Sequence, residues 1–178
     1  MKETLILDRK FRELIPGDII RQRIDEMADD INRDFEGRQV VFIGILNGVF
    51  VFAADLFRKI KLNARISFVK LESYRGTSST GSVKELIGIS EDLSDMQIIV
   101  LDDIIDTGFT LQYIIDELKK WKAGDIRIAA LFFKPAAYKI KIPIDYIGFE
   151  IPNDFVVGYG MDYEGYGRNL YSVYSLIK

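Results

Sequence analysis

The strongest constraint on this chain is a set of short apolar runs that leave no room for a polar face. QVVFIGIL (39–46), QIIVLDD (97–103), IRIAALFFK (126–134) and IDYIGFEI (144–151) each have the length of a strand. A run such as VVFIGIL, apolar at every position, must be covered on both sides. The segments between these runs change period. In residues 17–35 the apolar positions Ile20, Ile24, Met27, Ile31 and Phe35 fall on one helical face. GVFVFAADLFRKI (48–60) reads as a second helix. TLQYIIDELKKW (110–121) reads as a third, with Leu111, Ile114, Ile115, Leu118 and Trp121 together and Gly124 placed to stop it. ARISFVKLESY (64–74) alternates as a strand does, RGTSSTGSVK (75–84) is a small polar loop, and ELIGI (85–89) is a returning hairpin strand. Strands alternating with helices predict an α/β fold: a mostly parallel central sheet flanked by helices.

With 178 residues the chain suits one domain. The core is expected at about 36–150. A small hood or cap would be formed by the N-terminal segment, its helix included, and the Gly- and Tyr-rich tail from about 151 to 178. The N-terminal MKETLILDRKFREL is charged throughout and lacks the apolar centre of a signal peptide. Residues 40–57 are the nearest approach to a membrane span, but they carry Asn47, Asp55 and two glycines and are short for a bilayer. The expectation is a soluble, cytoplasmic protein.

Two absences narrow the chemistry. Without cysteine there is no disulfide, thiolate nucleophile or Cys-ligated zinc, and without histidine no Ser-His-Asp triad or His-ligated metal. Acid–base work falls to Asp, Glu, Lys or Tyr, and any metal to oxygen ligands, which favour magnesium, manganese or calcium. A formal charge of −3 argues against general nucleic-acid binding.

The segment IIVLDDIIDTGFTL (98–111) concentrates what remains. A buried strand runs into Asp102, Asp103 and Asp106, then into Thr107-Gly108-Phe109-Thr110 and a helix. Ligands of open parallel sheets bind beyond the carboxyl ends of the strands. A helix N-terminus with two hydroxyls beside it is an anion site, and Gly108 would let backbone approach a ligand closely. One acid in such a turn is an ordinary helix cap; three are not. The acids need not face the anion. Carboxylates pair well with ribose hydroxyls, and magnesium can separate them from phosphate charge. A sugar phosphate satisfies both halves of the segment.

VLDDIIDTGFTL closely resembles the phosphoribosyl pyrophosphate motif of type I phosphoribosyltransferases, in particular the hypoxanthine-guanine branch. GILNGVFVFAADL, ESYRGTSSTG, LFFKP and FEIPNDFVVGYGMDYEGYGRNLYSVY also resemble family segments, in the family's order and over nearly the whole chain. The last is the most specific, because it is similar to the purine branch alone.

The resemblance implies purine salvage: transfer of the 5-phosphoribosyl group from phosphoribosyl pyrophosphate to N9 of hypoxanthine or guanine, with Mg2+ as cofactor. It assigns Asp102 and Asp103 to the ribose hydroxyls, directly or through the metal, although the family usually has Glu-Asp there. Asp106 matches the general base near purine N7, its pKa tuned by partial burial, and residues 106–110 match the 5′-phosphate loop. Lys134 matches the lysine for the 6-oxo group; by itself it would read as a solvated strand-end lysine. Phe155 matches the stacking aromatic and Val156 the backbone reader of the base edge; composition alone would put both in the core. Asp162 matches a residue near purine C2 and a metal, and Arg168 a pyrophosphate contact that would otherwise read as an exposed structural arginine. Asn47 and Gly48 match the pyrophosphate turn, where the family often has Lys before the Gly and relatives carry a non-proline cis peptide. Ser73 and Tyr74 match the lid loop.

The resemblance further implies a homodimer or homotetramer acting on small molecules, without nucleic acid or membrane. Three alternatives stay open. One is a related enzyme preferring xanthine or a pyrimidine. Another is a non-catalytic RNA-binding regulator on the same fold. A Rossmann-type module is the third, weakened because no G-x-G-x-x-G follows a strand.

Overall fold

The computed structural model describes residues 2–73, 83–87 and 92–177. The chain opens with β1 (Glu3–Ile6), β2 (Arg9–Ile15) and α1 (Gly17–Asp34). It continues through β3 (Gln39–Leu46), α2 (Phe50–Phe57), β4 (Asn63–Ser73), β5 (Val83–Ile87) and β6 (Gln97–Ile105). The remainder is α3 (Phe109–Lys120), β7 (Ile126–Phe133), β8 (Tyr146–Glu150), β9 (Val156–Val157) and β10 (Val173–Leu176).

The larger sheet has the order β5-β4-β3-β6-β7-β8. Its strands β4, β3, β6, β7 and β8 are parallel, and β5 returns antiparallel to β4, the expected hairpin. Of the loop read at 75–84, residues 75–82 lie outside the described residues, as do Gly88 and Ile89 of ELIGI. Successive residues of each central strand feed opposite cores. Val40, Phe42, Ile99 and Leu101 pack with Ile20, Ile24, Met27 and Ile31 of α1 and with Phe52 and Leu56 of α2. Val41, Ile43, Ile98 and Val100 pack with Leu111, Ile114, Ile115 and Leu118 of α3. Each such side chain contributes about 1.5–3 kcal/mol by leaving water. Stretch 40–57 is thus strand, turn and helix. Among the described residues no helix is long and apolar enough to cross a membrane.

The second sheet, β1-β2-β10-β9, is antiparallel and joins the two ends of the chain. It has its own small core of Ile6, Phe11 and Val157. Here the structure departs from expectation. Residues 3–15 form a hairpin, and the helix assigned to the cap lies with α2 on the large sheet. The tight turn is Leu7-Asp8, with Leu7 at φ 52, and it carries none of the Asn-Gly or Asp-Gly chemistry that marks such turns. Inward Ile6 and Phe11 are set among exposed Leu5, Leu7 and Leu14, so the apolar pattern gave no clean alternation.

The N-terminus of α1 is fastened to the tail: the Gly17 N–H donates to the Ser172 hydroxyl at 3.1 Å, and the Tyr171 hydroxyl donates to Asp18. Gly124 does not end α3. The helix closes at Trp121, Lys122 takes a left-handed φ of 57, and the Ala123 N–H reaches back to the Leu118 carbonyl. Gly124 instead lies against β6: its N–H donates to the Met96 carbonyl, and a Cβ would stand 2.9 Å from that oxygen.

Candidate active site

Strand β6 outruns its neighbour. Pairing with β3 ends at Gly44 and Leu101, whereas pairing with β7 continues to Ile105 and Phe133. Asp102 and Asp103 therefore sit on a strand supported from one side, at the carboxyl edge of the sheet. A cavity there is lined by residues 45–48, 102–108, Thr110 and Leu111. Phe109 is absent from that lining, and its side chain is exposed; only its backbone belongs to the loop. The N-cap of α3 is Gly108, so no side chain caps the helix, and its first-turn N–H groups have no helical acceptor.

Glycine at 108 has a reason behind the turn that the sequence does not show. Its φ is 87, and a Cβ would stand 2.5 Å from the Tyr138 ring and 2.6 Å from Ile140. Packing behind the turn demands it. The Lys139 N–H donates to the Thr107 carbonyl at 3.1 Å, so segment 138–140 braces the loop. Nothing in YKI (138–140) signals that role in the sequence.

The two adjacent acids share one environment. Asp102 is buried, and burial, followed by the proximity of Asp103, pushes its carboxyl well up. Burial raises Asp103 to about 6, against the opposing pull of backbone hydrogen bonds, of Asp102 and of the Arg168 guanidinium. Two carboxyls this close in a desolvated corner resist joint ionisation. Gly48 packs against the pair so tightly that a Cβ would fall 1.8 Å from Asp103 Oδ2.

Asp106 and Lys134 meet across the mouth of the site. Lys134, which by itself reads as a solvated strand-end lysine, is only 7% exposed, because the chain turns at the end of β7 and its backbone N–H donates to the Ile105 carbonyl. Its Nζ lies 3.4 Å from Asp106 Oδ2. The Asp106 side chain is 49% exposed, so it is half-buried at the mouth of the site.

The turn 46–48 faces the acids from β3. Its cis peptide joins Leu46 to Asn47. Asn47 is exposed and Gly48 buried. The tail closes the opposite side. Gly160, at φ 102, touches the Gly48 carbonyl, where a Cβ would stand 2.0 Å from the oxygen. Arg168 is mostly buried: it donates to the Gly160 carbonyl at 2.7 Å and pairs with Asp162 at 2.6 Å. The other Asp162 oxygen accepts the Gly165 N–H at 2.7 Å. Gly160 was missed as a site residue; its place between Tyr159 and Met161 in a Gly-rich tail gave no sign of the seam.

Asp162, expected near a metal, has both oxygens engaged within the chain. Among the described residues no group of three or more carboxylates is placed to hold a metal ion by itself. Asp102 and Asp103 are the adjacent pair. Two adjacent buried carboxyls with raised pKa values fit a hard divalent cation whose other ligands are water and substrate oxygens, as magnesium prefers. Val156 is buried in the main core, as composition suggests, but Phe155 is 47% exposed, its ring centroid 6.4 Å from Phe11 and 6.1 Å from Tyr163. Of the lid pair, Ser73 ends β4 and Tyr74 lies outside the described residues.

Residues 13–164 match the phosphoribosyl transferase domain family. The chain is 41% identical over 155 residues to a hypoxanthine-guanine phosphoribosyltransferase of Streptococcus pyogenes, covering 86% of each protein. It is 37% identical over 158 residues to the bifunctional protein TilS/HprT of Listeria monocytogenes, covering 88% of this chain but only 24% of that protein. The chain therefore spans about a quarter of the length of the Listeria relative it matches. Among solved structures, a hypoxanthine-guanine phosphoribosyltransferase of Bacillus anthracis is 38% identical with a TM-score of 0.87, covering 94% of this chain and 97% of that one. A hypoxanthine phosphoribosyltransferase of Staphylococcus aureus is 33% identical with a TM-score of 0.89, covering 93% and 91%.

Proposed function

The chain belongs to the phosphoribosyl transferase family, and from that premise we propose that it is a purine-salvage enzyme. It moves the 5-phosphoribosyl group from phosphoribosyl pyrophosphate to N9 of hypoxanthine or guanine, giving IMP or GMP and pyrophosphate. The observation that carries the reading is the juxtaposition, in one cavity, of a free helix N-terminus, the Asp102–Asp103 pair and Asp106, with Lys134 reaching Asp106 from outside its lining at 3.4 Å.

Each part has a distinct task. Thr107, Thr110 and the first-turn N–H groups of α3 take the 5′-phosphate. Asp102 and Asp103 hold the ribose hydroxyls and the magnesium ion, which supplies countercharge to the pyrophosphate. As the bond at C1′ breaks, cationic character grows on the sugar and negative charge on the leaving group. Arg168 and the backbone of Asn47 and Gly48 stabilise that negative charge. Asp106 accepts the proton that the purine loses. Lys134 is already desolvated and donates to the 6-oxo oxygen; a 6-amino group would set donor against donor. Phe155 supplies an open ring face for the base, and Val156 its backbone. Asp162 acts by holding Arg168. Ser73 and Tyr74 belong to a lid that excludes water from the sugar centre.

The whole chain is then one domain whose main core takes in α1 as well as the large sheet. By likeness to the family it works in the cytoplasm as a homodimer or homotetramer. Steady-state turnover with phosphoribosyl pyrophosphate, magnesium and each of hypoxanthine, guanine, xanthine, adenine, uracil and orotate tests the reading. Turnover confined to hypoxanthine and guanine is expected; none with any purine overturns it.

A further inference from the structure

Behind the pyrophosphate turn lies a contact that the reaction does not use directly. Tyr159 is a non-glycine residue at φ 49, between Gly158 at φ 99 and Gly160 at φ 102. Left-handed backbone at a bulky residue is rare and survives where its surroundings enforce it. Two things enforce it here. Its N–H donates to the Leu170 carbonyl at 2.9 Å. Its side chain, 2% exposed, plunges into the main core and places its hydroxyl 2.6 Å from Asp55 Oδ2 on α2.

Asp55 stands one helical stretch after Asn47 and Gly48, so α2 carries the turn at its start and the tyrosine's acceptor near its end. The next residue in the tail, Gly160, touches the Gly48 carbonyl and accepts from Arg168. Tyr159 therefore fixes the one strip of tail that meets both the turn and the guanidinium. Arg58 Nη1 lies 3.8 Å from Asp55 Oδ1, outside the phenol contact.

We propose that Tyr159, anchored by Asp55, is a positioning residue for the pyrophosphate end of the site: it locks segment 158–162 against turn 46–48 and so sets where Arg168 points. The proposal rests on the phosphoribosyl transfer reading above. A residue of this kind alters recognition of the pyrophosphate group and leaves the purine end, built on Asp106 and Lys134, alone.

The test is Tyr159→Phe and Asp55→Ala in the full chain, with Asp55→Asn as the conservative partner whose amide oxygen still accepts the phenol proton. Removing the hydrogen bond should raise KM for phosphoribosyl pyrophosphate roughly tenfold, the loss expected for one hydrogen bond to a charged group. KM for hypoxanthine and kcat should stay within about twofold, and Asp55→Asn should restore most of the loss. Binding of inorganic pyrophosphate with magnesium, followed by calorimetry, should weaken in parallel. A lower Tm with both KM values unchanged, or both KM values raised equally, would overturn the positioning role. If the unaltered protein turns over no purine, the transfer reading fails by itself. Calorimetry then still decides the strut: pyrophosphate binding equal in the unaltered protein and Tyr159→Phe sinks it, and weaker binding in the variant supports it.

Discussion

The β6–α3 turn and the tail that closes over it are built on opposite plans. The turn is local: Asp102 to Thr110 are nine successive residues, and one strand and one helix place them. The tail is assembled at a distance. Gly160 meets Gly48, Arg168 meets Gly160 and Asp162, and Tyr159 meets Asp55. Chemistry placed locally tolerates little change in the group itself, whereas a seam made of remote contacts tolerates little change in shape. Substitutions in the turn should therefore strike the chemical step, and those in the tail should strike binding and stability.

The severest break should come from Asp106→Asn. Removing a general base costs about 100- to 10,000-fold in turnover, and because the amide keeps the side chain's shape, nucleotide binding should change little. Rapid-quench turnover together with product binding measures both; unchanged turnover would remove Asp106 from the reaction and blur the contrast. Next comes Lys134→Met, which keeps length and loses the ammonium. Preference for 6-oxo over 6-amino purines should shrink by roughly ten- to a hundredfold, read as the ratio of kcat/KM values for hypoxanthine and adenine.

Gly160→Ala probes the seam. It adds a methyl 2.0 Å from the Gly48 carbonyl at φ 102, and should cost about 1–3 kcal/mol of stability, with a weaker pyrophosphate end and a nearly intact response to purine. A Tm equal to that of the unaltered protein would show the seam to be slack.

The smallest effect concerns pH. Asp103 in the folded protein titrates near 6, above the ordinary carboxylate range. The folded state then holds a proton that the unfolded state has already released, so the contribution of this group to metal-free stability is greatest below about pH 4 and is lost as pH rises through 6. Asp103→Asn should flatten that part of the profile. Magnesium should recover stability on its alkaline side in the unaltered protein only. Thermal melts across pH 4–7 with and without the metal test both statements.

The same contrast explains what could be read in advance. The parallel sheet followed from runs such as VVFIGIL, and the turn from acids against an apolar strand, because both are contiguous. The N-terminal hairpin was illegible because Leu7-Asp8 has no turn chemistry and the strand's partner, β10, arrives at the other end of the chain. Without the family resemblance Lys134 reads as solvated, because its burial depends on a turn of chain that periodicity does not describe. Gly108 was legible as necessary, but the packing of Tyr138 and Ile140 that demands it is invisible from position 108. The partners that Asp162 has within the chain, Arg168 and Gly165, were not legible either.

The clasp between Gly17 and Ser172 spans 155 positions. During synthesis β2 is made long before β10 exists to pair with it, so this hairpin completes its sheet late. Removing residues 173–177 would then strip β2 of that neighbour and uncover Phe11.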